Sequence, residues 1–196
     1  MEKKFTITEN DIIDIDSYIK QRNSIKTRIN KVKKNRRVHV GPHATFYFES
    51  YDTMLYQIQE MLFIERGGKE QMKDELKAYN PLIPNGKSLV TTLMFEIDNP
   101  NVRQNFLTSI GGIETNTYIK VNDIKIFARA EGDTERTNKD GKASSVHFLH
   151  FDFNDSQKKD FLTPGCEIQL GFNHKNYQHI SILSENVIES LGNDFC

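Results

Sequence analysis

The hydrophobic period changes once along this chain of 196 residues, and that change constrains the fold more than any motif does. Before the loop YNPLIPNG (Tyr79 to Gly86), apolar residues recur mainly at helical spacing. Ile12, Ile15, Ile19, Ile25, Ile29 and Val32 form one such set, and Met54, Leu55, Ile58, Met61 and Leu62 another. After the loop the period falls to two, beginning with Ser88 to Ile97. A 3.6-residue repeat buries one stripe of a helix, whereas a two-residue repeat buries one face of a strand. The expected class is therefore α+β, with N-terminal helices and a mostly antiparallel sheet in the second half. The length fits a single domain over 1–196, with a sub-boundary near 79–87 between the helical and the sheet-rich parts.

Local signals place the elements. Thr8 and Asp11 have capping-box spacing ahead of a helix from about Glu9 to Lys34, with a break expected near Asn23-Ser24. Arg37 to Val40 and Ala44 to Ser50 read as a hairpin through Gly41-Pro42. A helix follows from Tyr51 to Arg66, with Asp52 at the expected cap and Gly67-Gly68 as its stop. A second short helix spans Glu70 to Ala78. Beyond the loop the expected order is strand (88–97), helix (100–110), hairpin (117–121 and 124–129) and strand (145–153). A short helix (155–162), two strands (167–173 and 179–183) and a closing helix (185–191) complete it. The polar segment Gly132 to Lys142 is long enough for a functional loop, with Arg136 and Lys142 as its anion contacts.

Composition narrows the function classes. The formal net charge of -1 offers no whole-protein attraction to nucleic acid or anionic lipid. No apolar run reaches the roughly 18 residues of a membrane span, so no membrane association is expected. The start of the chain lacks the apolar core of a signal peptide. Cys166 and Cys196 are too far apart for a paired-cysteine metal or disulfide framework, which makes a cytoplasmic setting the simplest expectation. Basic residues do cluster: from Ser17 to Phe48 there are several Lys and Arg and no acid. A solvated helix face explains them, and an RNA-binding strip is the sharper reading. Few aromatics interleave, which argues against nucleic acid without removing it.

The chain carries no nucleotide loop, no GxSxG and no HExxH. A site must therefore be assembled from scattered residues. As a strand, the segment after Pro42 puts His43, Thr45, Tyr47 and Glu49 on one face and Ala44, Phe46 and Phe48 on the other. The next helix adds Tyr56, Gln57 and Glu60. Val90, Thr92, Met94 and Glu96 share another strand face. In SSVHFLHFDF, His147 lies on the face of Leu149 and Phe151. His43, Glu49, Glu60 and His147 are the residues that would ligate a non-haem metal ion if they converge. Arg36 and Arg37 stand at the entrance to the polar row as contacts for an anion or a partner.

The blocks KKNRRVHVGPHATFYFE, YQIQEMLFIE, YNPLIPNG, TLMFEID and GKASSVHFLHFDF resemble a bacterial family catalogued as domain of unknown function 3501. The resemblance runs from about Ile12 to the last strand. It implies a cytosolic domain whose genes often lie near rubrerythrin-like diiron proteins and iron–sulfur oxidoreductase subunits. It carries over no catalytic residue.

Three readings fit these observations. The first is an accessory protein of a redox or oxidative-stress system. It would bind an iron–sulfur or rubrerythrin-like diiron partner, or a small anionic ligand, between the hairpin and the Tyr51 helix. Arg36, Arg37, His43, Tyr47, Glu49, Tyr56, Gln57, Glu60, Arg136 and Lys142 would serve that site. The second is a metal-dependent enzyme using His43, Glu49 and Glu60. The third is an RNA-binding module using the basic N-terminal helix.

Overall fold

The amide of Gln59 fixes how the chain begins. Its Oε1 accepts from Ile13 N at 3.1 Å, and its Nε2 donates to Ile13 O at 3.0 Å. This holds an extended link between a 3-10 turn (Glu9–Asp11) and the first long helix, α1 (Ile15–Lys34). Asp14 caps α1, accepting from Ser17 N at 2.9 Å. The interruption expected at Asn23-Ser24 therefore lies at Asp14 instead, and α1 runs unbroken. The computed structural model describes residues 3–131 and 141–195.

After α1 come β1 (Arg37–Val40), β2 (Ala44–Phe48), α2 (Tyr51–Glu65) and α3 (Gly68–Tyr79). Ser50, not Asp52, caps α2: its hydroxyl accepts from Thr53 N at 3.3 Å, while Thr53 Oγ1 accepts from Ser50 N at 2.8 Å. The second half comprises β3 (Ser88–Phe95), α4 (Pro100–Ser109), β4 (Thr117–Val121), β5 (Ile124–Phe127) and β6 (Arg129–Ala130). β7 (Val146–Asp152), α5 (Asp155–Phe161), β8 (Ile168–Phe172), β9 (Ile180–Ile182) and α6 (Glu185–Gly192) follow. The fold class is α+β, and every pairing between these strands is antiparallel.

The strands form two sheets, in the orders β1-β2-β3-β7-β6 and β5-β4-β8-β9. The β2–β3 pairing joins residues on either side of the 79–87 loop, with Phe46 opposite Leu93 and Tyr47 opposite Thr92. β5 passes through Ala128 into β6, so one bent segment serves both sheets. At the opposite edges, Ser181 on β9 donates its hydroxyl to His39 O on β1. The two sheets thus curl around a shared interior. Phe46, Phe48, Leu89, Leu93, Leu149 and Phe151 from one sheet meet Ile119, Val121, Ile168, Leu170 and Phe172 from the other. Each such side chain contributes about 1.5–3 kcal/mol on burial.

The turn between β1 and β2 is held from outside. The Tyr177 hydroxyl donates to Val40 O at 2.8 Å and accepts from His43 N at 3.1 Å and Ala44 N at 3.2 Å. Gly41 is left-handed there, at φ 69°, and lies directly against the His179 ring and the Tyr177 hydroxyl.

The outer face of the five-stranded sheet is partly covered by helices. Met54, Ile58 and Leu62 of α2 pack with Leu82, Ile83 and Val90, and α1 packs on the far side of α2. Met72 and Leu76 of α3 join this smaller cluster. The helical layer stops short of the sheet's full width, and a cleft remains at its edge. Among the described residues, no helix is long and apolar enough to cross a membrane.

Candidate functional site

The alternation in β2 sets up the cleft. Ala44, Phe46 and Phe48 turn into the shared core, so Tyr47 and then Glu49 are directed to the outer face. β3 and β7 present Thr92, Met94, Val146 and Phe148 on the same face. α2 supplies Thr53, Met54 and Gln57 as one wall, and Tyr79 and Leu82 form another. Lys33 and Arg36 close the β1 side. The enclosed volume is about 390 Å³, enough for a small organic molecule.

Glu49 is the polar centre of this cleft. Its residue surface is 8% exposed. Thr92 Oγ1 donates to one carboxylate oxygen at 2.7 Å, and Thr53 Oγ1 donates to the other at 2.7 Å. Among the described residues, no cation lies within ion-pair distance of it. Thr53 has two tasks: it completes the Ser50 cap and orients Glu49.

A second polar group borders the cleft. Tyr47 donates to Glu96 Oε1 at 3.0 Å, and Thr45 donates to Glu96 Oε2 at 2.5 Å. His39 Nδ1 lies 3.0 Å from Thr45 Oγ1. Partial burial, followed by the hydrogen bond to Glu96, raises the Tyr47 phenol above its ordinary 10.0, and neighbouring Arg37 opposes this. Arg37 is exposed on the edge strand. Its side chain engages the Tyr47 hydroxyl, whereas Arg36 spends its donors on backbone oxygens and Asp194.

Arg36 is a buried staple. Its guanidinium donates to Phe48 O at 3.0 Å, Glu49 O at 2.6 Å, Ser190 O at 3.0 Å and the Asp194 carboxylate. It borders the cleft but spends its donors on the protein itself. Burial raises the Asp194 carboxyl above its ordinary 3.8, and Arg36 works against that rise.

The remaining sequence-derived candidates lie elsewhere. Glu60 faces α1, where it accepts from Tyr18 Oη and from Arg22 Nε and Nη2, both at 2.8 Å. The Arg22 bonds hold its carboxyl below the ordinary 4.5. Tyr56 also faces α1, and its ring lies under the Lys33 ammonium, 5.5 Å away. His43 sits at the hairpin turn with its ring edge-on to Phe106 at 4.9 Å. His147 is fully buried on the core side of β7; its Nε2 donates to Ser144 O at 2.9 Å. Its Nδ1 is 3.9 Å from the Glu114 carboxylate. Lys142 is half-buried ahead of β7, away from the cleft lining, and Arg136 lies outside the described residues.

Of the four residues weighed as metal ligands, only Glu49 lines the cleft. His43 and His147 belong to the hairpin turn and the sheet interior, and Glu60 belongs to the α1–α2 contact. Among the described residues, no group of three or more His, Cys, Asp or Glu could hold a metal ion. For His147 the physical reason is strand alternation: it is at an odd position of β7, whereas Val146 and Phe148 at even positions face the cleft.

The basic stretch is partly paired within the protein. Arg22 pairs with the largely buried Glu60, and Arg28 pairs with Asp52 at 3.2 Å on the exposed surface. Sequence reasoning had Tyr47, Glu49 and Gln57 as cleft residues, and it had Val90, Thr92 and Met94 on one strand face. It missed Thr53 as a Glu49 partner, and it missed Val146 and Phe148. The alternation in β7 places Phe148 on the face opposite His147.

Comparison with known proteins gives a consistent result. A family model described as protein of unknown function (DUF3501) matches residues 6–195. A solved structure from Burkholderia pseudomallei K96243, of a protein described as novel and of unknown function, is similar over 97% of this chain and 100% of its own. The two share 33% identity with a TM-score of 0.89. No curated protein matches. With the family model spanning nearly the full length, this chain belongs to the DUF3501 family.

Proposed function

We propose that this protein is an accessory member of a redox or oxidative-stress system and works by holding a small anionic ligand in the cleft beneath α2. The observation that carries the reading is the cleft itself. It pairs an apolar lining of Met54, Leu82, Met94, Val146 and Phe148 with polar groups at Lys33, Tyr47, Glu49, Gln57 and Tyr79, the Glu49 carboxylate being held by two threonine hydroxyls. Few convergent polar groups on an apolar wall are the ordinary makeup of a small-molecule site. Lys33 at the cleft wall and exposed Arg37 beside Tyr47 supply positive charge for an anion. The redox setting rests on the gene neighbourhood implied by the family resemblance.

Anilinonaphthalene sulfonate, an amphipathic anion, tests the reading. It is expected to bind the folded protein at one site, with a blue-shifted emission. Charge reversal at Lys33→Glu with Arg37→Glu should weaken it about tenfold or more, as expected for losing charge-assisted contacts. Binding unchanged in that double variant, or in Met94→Trp with its filled cleft, would overturn the reading.

A further inference from the structure

We infer that the ligand of this cleft is a zwitterion, with a cationic nitrogen donor seated on Glu49 and an anionic end toward Lys33. The inference rests on the proposed anion site and adds the other end of the molecule.

The argument starts from charge. Glu49 is buried in the cleft lining, and two threonine hydroxyls are its hydrogen-bond donors. A carboxylate removed from water is costly unless a cation or several donors compensate it. The nearest guanidinium, Arg36, donates to the backbone oxygen of Glu49, and its carboxylate partner is Asp194. The carboxylate of Glu49 thus keeps open acceptor capacity: each oxygen receives one hydroxyl proton and has a second lone pair.

The cleft geometry points that capacity at a ligand. Thr53 and Thr92 lie on different elements, α2 and β3, and both line the cleft with Glu49. They fix the carboxylate between them and leave it at the cleft surface. The apolar side chains of Met54, Met94 and Phe148 lie in the same lining. A primary amine or an amidine-like N–H group would complete the Glu49 oxygens. An apolar segment would then cover the methionines, and a carboxylate or similar anion would meet Lys33. This excludes simple anions, simple amines and uncharged apolar molecules as the best-fitting ligands.

The test uses three probes with one aliphatic core: aminohexanoate, hexanoate and hexylamine. Binding is read on the methyl resonances of Met54 and Met94 in protein labelled at its methionine methyls. Aminohexanoate is expected to bind about tenfold or more tightly than either single-charge probe, the factor a charge-assisted hydrogen bond supplies. Glu49→Gln should remove its advantage over hexanoate while leaving hexanoate binding in place. Lys33→Ala should remove its advantage over hexylamine. Hexanoate binding as tightly as aminohexanoate would overturn this inference and leave the anion-binding reading standing. Failure of all three probes to move these methyls would overturn the inference, and the sulfonate titration then decides the broader reading separately. The comparison of probes on the unaltered protein holds even if Glu49→Gln does not fold.

Discussion

Arg36 and Asp194, 158 residues apart, form a buried ion pair that ties the end of the chain to the first hairpin. The same guanidinium reaches three backbone oxygens: Phe48 and Glu49 after β2, and Ser190 in α6. Removing it strands a buried carboxylate and three acceptors together. Arg36→Ala is expected to cost about 3–5 kcal/mol in urea unfolding. Asp194 already titrates above 3.8 because of burial, so without Arg36 its folded form prefers a proton more strongly. Stability of the variant should therefore fall as pH rises above 3.8, and its deficit should be smaller in acid than at neutral pH. A pH-independent deficit would contradict the pairing.

Gly41→Ala should be poorly tolerated. The glycine is at φ 69°, and an added Cβ would stand 2.6 Å from the His179 ring and 2.7 Å from the Tyr177 hydroxyl. Strain and displacement of the Tyr177 contacts together predict a loss of about 2–4 kcal/mol. Tyr177→Phe, which only deletes the hydroxyl shared by Val40, His43 and Ala44, should cost about 1–3 kcal/mol. Thermal unfolding of the two variants checks both values.

The Glu60 carboxyl is held below 4.5 by Arg22 and Tyr18. Its folded form binds fewer protons than the unfolded chain just below that pH. The contribution is therefore fully present above 4.5 and disappears as pH falls through the lower folded value. Glu60→Gln should be less stable than the parent at neutral pH, and the two curves should converge on acidification. Curves that stay parallel into acid would show that this contact contributes nothing.

Thr91 offers the opposite sign. It is fully buried on β3, and its hydroxyl has no hydrogen-bond partner among the described residues. Thr91→Val keeps the shape and removes the stranded group. It is expected to raise stability by about 0.5–2 kcal/mol, measured as a higher urea midpoint with an unchanged slope.

The separation of His43, Glu49, Glu60 and His147 predicts that they do not act as one ligand set. His43→Ala combined with Glu60→Gln should leave the metal content of protein purified without added metal unchanged. Elemental analysis that showed a near-stoichiometric metal lost in this double variant would overturn that separation.

Much of the architecture was legible because periodicity is local. The two-residue alternation after the loop, the Gly41-Pro42 turn, the Asn99-Pro100 helix start and the Gly67-Gly68 stop each act within a few residues. Errors arose where a distant group decided the outcome. The break in the first helix moved to Asp14 because Gln59 holds Ile13. The cap of α2 at Ser50 is a local exception: Ser50 and Thr53, three residues apart, cap each other, a pairing as legible in the sequence as Asp52.

For the site, the sequence by itself determined faces: Tyr47 and Glu49 opposite Phe46 and Phe48, and Thr92 and Met94 opposite Leu93. Tertiary structure decided which faces meet. Pairing β2 with β3 and β3 with β7 set Glu49, Thr92 and Phe148 around one cleft. The same pairing sent His147 into the core, and the packing of α1 on α2 drew Glu60 to Arg22. Arg36 read as an open basic residue until Asp194, at the far end of the chain, was placed against it. Alternation is written in neighbouring residues, whereas charge pairing depends on register and on packing between elements that no local pattern specifies.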